Sequence, residues 1–286
     1  MQGNAGSPQR TQSAGATTSP AVRDIRQGDA IGTGAPVLEA RGITKSFGGF
    51  VAVQNLDLSV NRGGVHALIG PNGAGKTTVF NLLTRFIQPT AGQIVLMGQD
   101  VTVLAPEFVA RRGLVRSFQI SATFEKLTVL QNIRIALQRP HVDAWRFFGN
   151  GADRGATEAR IGELLTSFDL TTYANWRAGD LPYGRKRALE LAATMATDPQ
   201  VMLLDEPTQG LGFEDVERVA DLIKTIGTSR TVLMVEHNMS LVSRIADRIT
   251  VLRSGAIIAD GDYDTVSRDP QVVEAYLGSG RRRARH

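Results

Sequence analysis

Gly70-Pro71-Asn72-Gly73-Ala74-Gly75-Lys76-Thr77 follows the pattern G-x-x-x-x-G-K-[ST], between a short apolar run and a helical stretch. Glycines at such spacing let the backbone fold around an anion, so that successive N–H groups and a positive helix end point at phosphates. Lys76 would then reach the β and γ phosphates, and Thr77 would offer its hydroxyl to Mg²⁺, with Thr78 beside it in the same turn. A second cluster, Val201-Met202-Leu203-Leu204-Asp205-Glu206, carries two adjacent carboxylates on the end of an apolar run. Ligands bind at the carboxyl ends of strands in open α/β sheets. Asp205 is therefore expected to hold Mg²⁺ through water, and Glu206 to orient or deprotonate an attacking water. The two clusters together read as a site for a magnesium-bound nucleotide.

These residues need strands and helices to bring them together. His66 to Ile69 reads as a short strand before the glycine loop, Gly75 to Phe86 as a helix after it, and Ile94 to Met97 as a further strand. Upstream, Ile43 to Phe47 and the alternating Leu56, Leu58 and Val60 suggest an antiparallel edge. From Glu125 to Asp180 the spacing turns helical, with a polar separator at Gly149 to Gly155. Val201 to Leu204 and Thr231 to Val235 are continuous apolar runs, the pattern of parallel strands covered on both faces. Helices over Phe213 to Ile226 and Met239 to Ala246 complete a βαβ rhythm, and Ser254-Gly255 reads as the turn of a closing hairpin.

The 286 residues are 42% hydrophobic and 21% charged, which permits one large domain with a substantial core. No apolar run approaches the roughly 20 residues that span a bilayer, so a membrane role is expected to be peripheral. The absence of cysteine excludes disulfides, a catalytic thiol and Cys-ligated zinc. A net charge of +4, part of it from Arg281, Arg282, Arg283 and Arg285, does not imply nucleic acid. Residues 1–36, rich in Gly, Ser, Thr and Gln, read as a disordered extension, and 279–286 as a basic tail.

The ordered series Phe47, the glycine loop, Gln119 in Arg116-Ser117-Phe118-Gln119, Leu181 to Arg185, Asp205-Glu206-Pro207 and His237 resembles the ATP-binding-cassette transporter ATPases over residues 37–278. The resemblance implies an α/β fold: a P-loop NTPase core with an antiparallel β edge subdomain and an inserted α-helical subdomain at about residues 120–185. It implies ATP and Mg²⁺ as ligands. Phe47 is similar to the aromatic that stacks on adenine, Gln119 to the residue that contacts Mg²⁺ and water, and His237 to the switch histidine at the γ-phosphate. In the family, two cassettes close over two nucleotides and act on transmembrane permeases.

Three departures stand out. Leu181-Pro182-Tyr183-Gly184-Arg185 stands where the family usually has Leu-Ser-Gly-Gly-Gln, which leaves Gly184 and a basic turn of Arg185, Lys186 and Arg187 to meet the opposing nucleotide. Unpaired cations at a helix start oppose its dipole, and an anion opposite them would offset that. Gly212 replaces a usual aspartate, which bears on whether both ATP sites hydrolyse, and Asn238 replaces an acid. The Leu-Pro-Tyr-Gly form, Glu236-His237-Asn238-Met239 and the ending Glu274-Ala275-Tyr276-Leu277-Gly278 resemble the ATPases of branched-chain amino acid importers. That resemblance implies a second ATPase subunit, permeases and, indirectly, a solute-binding protein, with the chain on the cytoplasmic membrane face. An exporter ATPase, a non-transport cassette or a regulatory subunit with little turnover is the alternative.

Overall fold

The computed structural model describes residues 36–117, 123–138 and 151–282, with side chains of the last stretch described over 155–276. Two long strands open it, β1 (Pro36–Phe47) and β2 (Phe50–Asn61), paired antiparallel so that Phe47 faces Phe50 across Gly48-Gly49. β3 (Val65–Ile69) runs into the glycine loop and α1 (Lys76–Leu83) follows. β4 (Ala91–Leu96) and β5 (Gln99–Asp100) return to the first sheet. Then come α2 (Pro106–Arg111), β6 (Leu114–Ser117), α3 (Val129–Gln138), α4 (Gly151–Ser167) and, after two 3₁₀ turns, α5 (Tyr183–Ala196). β7 (Val201–Asp205), α6 (Phe213–Gly227), β8 (Thr231–Val235) and α7 (Met239–Ile245) give the βαβ rhythm. β9 (Arg248–Arg253), β10 (Ala256–Gly261), α8 (Tyr263–Arg268) and α9 (Pro270–Arg282) close the chain.

The first sheet has the order β2-β1-β4-β5 and the second β10-β9-β3-β8-β7-β6. In the second, β9, β3, β8, β7 and β6 are parallel neighbours, while β10 pairs antiparallel at the edge. Residue alternation explains its continuous apolar strands. Ala67, Ile69, Met202, Leu204, Val232 and Met234 join a core with α5, α6 and α7, whereas Leu68, Val201, Leu203, Leu233 and Val235 join one with α1 and the antiparallel sheet. Successive side chains point to opposite faces, so a strand apolar at every position is one covered on both.

Three expectations change. The helix expected to reach Phe86 ends at Leu83, because Arg85 turns left-handed at φ 64° and the Thr84 hydroxyl donates to the Phe80 carbonyl at 2.7 Å. The expected separator at Gly149 to Gly155 is helical from Gly151 onward, within α4. α9 continues through Arg282, so residues 279–282 of the expected tail are helical backbone. Residues 1–35 and 283–286 lie outside the described residues.

Candidate functional site

The strand order sets the site. β3, β8 and β7 are adjacent and parallel, so the glycine loop, the turn after Val235 and the pair Asp205-Glu206 all emerge at one carboxyl edge. β6 flanks them and delivers Arg116. A parallel sheet gathers strand-end residues that are more than 160 positions apart in sequence, as His66 and Leu233 are in register.

The loop from Gly70 to Gly75 is shaped for backbone donors. Gly70, Gly73 and Gly75 have φ of 151°, 79° and 103°, a region that side chains disfavour. A Cβ on Gly70 would lie 2.2 Å from the Leu252 carbonyl, and one on Gly75 2.8 Å from the Ala52 carbonyl. Pro71, Asn72 and Ala74 form the turn between them, closed by an Ala74 N–H to Pro71 carbonyl bond of 3.1 Å. No side chain caps α1, so its first-turn N–H groups are left for a ligand. Thr77 is exposed there and Thr78 half-buried.

Buried Lys76 donates to the Gly70 and Pro71 carbonyls at 2.7 and 3.1 Å. Burial pushes its pKa down, while the negative charges of Glu206 and Asp205 oppose that shift. Such a lysine, already desolvated at an anion-shaped loop, suits a phosphate. Among the described residues no group of three His, Cys, Asp or Glu side chains could hold a metal ion alone. Oxygen donors from Thr77 and Asp205 fit a hard cation that completes its shell with phosphate and water.

Asp205 is 5% exposed and accepts a hydrogen bond from the Arg116 guanidinium at 2.5 Å, which also donates to Asn81 Oδ1 at 2.5 Å. Glu206 is the first residue past β7, and its backbone is left-handed at φ 46°. Its N–H donates to the Val235 carbonyl at 3.0 Å.

Glu236 is fully buried and joins two loops. Its Oε1 accepts from the Thr208 N–H at 3.1 Å and the Thr208 hydroxyl at 2.5 Å, and its Oε2 from the His237 N–H at 3.1 Å. The carboxylate therefore pins the backbone under His237, whose own ring is 61% exposed. Asn238 caps α7, its Oδ1 accepting from the Leu241 N–H at 3.2 Å.

Phe47 is an exposed ring with Lys45 Nζ 4.9 Å from its centroid. Its hairpin is held near the loop because Gln54 and Ala74 bond to opposite sides of Gly255, each at 2.9 Å. Gly184 is buried in the first turn of α5, where an added Cβ would meet the Asp215 carboxylate at 2.1 Å. The basic turn differs from its expectation. Arg185 is not an unpaired cation: it donates to Asp169 Oδ2 at 2.5 Å and the Asp169 carbonyl at 2.6 Å, over the Tyr173 ring. Arg187 is likewise engaged, with Glu190 and two carbonyls. These partners supply the negative charge that the helix start requires. Gln119 lies outside the described residues.

Arg116 and Glu236 escaped a functional reading from the sequence, and Arg187 was read as facing an opposing nucleotide rather than the loop after β7. The usable signal was a charged residue at the end of an apolar run, as Glu236 is after Val235.

Comparison with known proteins now decides the family. The model for ABC transporters matches residues 53–209. The chain belongs to the ABC transporter ATP-binding family. A second model, for branched-chain amino acid ATP-binding cassette transporters, matches residues 256–281. The chain is 41% identical over 251 residues to the high-affinity branched-chain amino acid transport ATP-binding protein BraF of Pseudomonas aeruginosa, covering 85% of this chain and 98% of that protein. It is 39% identical, with the same coverage, to LivG of Escherichia coli K12, which carries the same description. Among solved structures, a nucleotide-free cassette from an ABC transporter aligns with a TM-score of 0.71 at 28% identity, covering 84% of this chain and 98% of that one. A structure of an ABC-transporter cassette in its ADP conformation aligns at 0.72 and 27%, covering 85% and 99%. This cassette is a transport ATPase with the mixed α/β P-loop fold, and among its described residues no helix is long and apolar enough to cross a membrane.

Proposed function

We propose that this cassette hydrolyses ATP to power uptake of branched-chain or closely related amino acids. The observation that carries the solute class is the match of residues 256–281 to the branched-chain cassette model, beyond the region common to ABC ATPases. In this reading the cassette pairs with a second ATPase subunit, homologous or identical, on the cytoplasmic face of transmembrane permeases. A solute-binding protein delivers the cargo. An external surface suited to the amino acid itself is not required of the cassette, which works on permeases.

The residues divide the work as follows. Backbone N–H groups of residues 75–78 and Lys76 bind and neutralise the phosphates, and the Phe47 ring offers an apolar face to the base. Thr77, Asp205 and Gln119 hold Mg²⁺, which supplies charge stabilisation on the phosphate oxygens when bound. Glu206 takes the proton of the attacking water, and His237 donates to the terminal phosphate. Gly184 lets α5 pack against Asp215 beneath the segment that faces a partner cassette, and Arg185, bound to Asp169, shapes that same segment.

The test is reconstitution with the partner subunits in lipid vesicles. ATP inside and labelled leucine with its binding protein outside should give uptake, and Lys76→Ala should abolish it. Uptake of a chemically unrelated solute in place of branched-chain amino acids would sink the assignment.

A further inference from the structure

Arg187 is the fifth residue of α5 yet spends its side chain on the loop that follows β7. Its Nε donates to the Pro207 carbonyl at 2.8 Å and its Nη2 to the Glu206 carbonyl at 3.1 Å. The remaining arm, Nη1, donates to Glu190 Oε2 at 2.6 Å, one turn along α5. Both side chains are nearly buried, at 12% and 10% exposure, so these bonds form in a setting where water competes poorly.

The residue so held is unusual. Glu206 is not glycine, but its φ of 46° places it in the left-handed region. Such conformations persist only where the surroundings over-determine them. Here the surroundings are identifiable: the Glu206 N–H is fixed by the Val235 carbonyl at 3.0 Å, and the Glu206 carbonyl accepts from the Gln209 N–H of its own turn and from Arg187, each at 3.1 Å. One end of the residue is tied to the sheet and the other to the helical lobe. A planar fork fixes the geometry of two successive carbonyls and a carboxylate at once, whereas a lysine ammonium is a single point of donors that cannot hold all three in that arrangement.

We propose that Arg187 is a positioning residue that couples the helical lobe to catalysis, holding Glu206 in the backbone conformation that aims its carboxylate. α5 is the helix that starts at the Leu181 to Gly184 segment, so a displacement of that segment reaches the Glu206-Pro207 peptide through one side chain. Glu190 keeps the guanidinium oriented and balances its charge. Arg187 has no bond to the phosphate loop among its contacts, so its removal acts on chemistry rather than on nucleotide affinity.

The inference rests on the reading of Glu206 as the proton acceptor, and the experiment separates the two. ATP turnover of the assembled complex is measured alongside affinity for a fluorescent ATP analogue. Arg187→Gln should lower kcat about tenfold or more, with KM and analogue affinity within about twofold. Arg187→Lys should recover part of the loss, and Glu190→Gln, which leaves the arginine in place, should lower kcat about threefold. Combined with Glu206→Asp, the Arg187→Gln loss should be much less than multiplicative, because both act on one group. Unchanged kcat, a loss carried by KM, or multiplicative losses would each overturn the proposal. Should Arg187→Gln fail to fold, unchanged kcat in Glu190→Gln and Arg187→Lys overturns it equally. Turnover that survives Glu206→Gln refutes the reading of Glu206 itself, whereas a dead Glu206→Gln beside a normal Arg187→Gln refutes only the coupling.

Discussion

Replacing Glu236 should cost both stability and turnover, in amounts that its partners allow to be worked out. The carboxylate is fully buried and accepts three bonds of 2.5 to 3.1 Å from Thr208 and the His237 N–H, with a weaker fourth of 3.4 Å from the Asn238 N–H. Glu236→Ala leaves the buried Thr208 N–H and hydroxyl without their acceptor, each buried unsatisfied donor costing about 1–3 kcal/mol, while the part-buried His237 N–H can turn to water. Adding the lost side-chain packing, about 4 kcal/mol is expected. Glu236→Gln is the sharper variant because it keeps the shape. Its single oxygen can serve one loop, while its NH₂ must face an N–H of the other, so about 2 kcal/mol is expected. Urea denaturation should show a lower midpoint at an unchanged slope. Turnover should fall as well, since the same oxygens set the backbone under His237. A Gln variant with wild-type midpoint and wild-type turnover would refute the claim that this carboxylate joins the two loops.

Other perturbations follow from the same geometry. His66 is buried against Thr250, and desolvation lowers its pKa from 6.5 to about 4. The unfolded chain therefore binds a proton that the folded chain refuses between those values, so the His66 contribution is flat well above pH 6.5 and lowers stability by about 3 kcal/mol as pH drops toward 4. Urea midpoints across that window should show the slope, and His66→Gln should flatten it. Gly70→Ala forces a Cβ to 2.2 Å from the Leu252 carbonyl and should cost about 3 kcal/mol or more and abolish binding of an ATP analogue. Gly73→Ala, at φ 79° with open space around it, should cost only about 1 kcal/mol in thermal melts. Arg116→Gln leaves buried Asp205 without its guanidinium and should lower stability by about 3 kcal/mol, read by the same denaturation.

Much of this protein is legible in one dimension. The glycine loop announces itself because left-handed backbone and close carbonyl approach admit little but glycine, as Gly70 and Gly75 demonstrate. The runs Val201 to Leu204 and Thr231 to Val235 announce buried parallel strands, because a strand covered on both faces has no polar alternation to display. Ser254-Gly255 predicts the β9–β10 turn, with φ of 50° and 79° at the two residues. Helix ends were harder: what stops α1 at Leu83 is a left-handed arginine, a residue type with no turn signal.

Which charged side chains meet was decided by tertiary structure alone. Arg116 reaches Asp205 because β6 lies beside β7, a fact of strand order that no spacing encodes. Arg185 finds Asp169, Arg187 finds the Glu206 and Pro207 carbonyls, and Glu236 finds Thr208, all between separate elements. Sequence periodicity reports how each element divides its surface between core and water. It carries no information about which long polar side chain, rotating on several bonds, finds its partner once the elements are docked, and that choice sets the charge and the strain around the reacting groups.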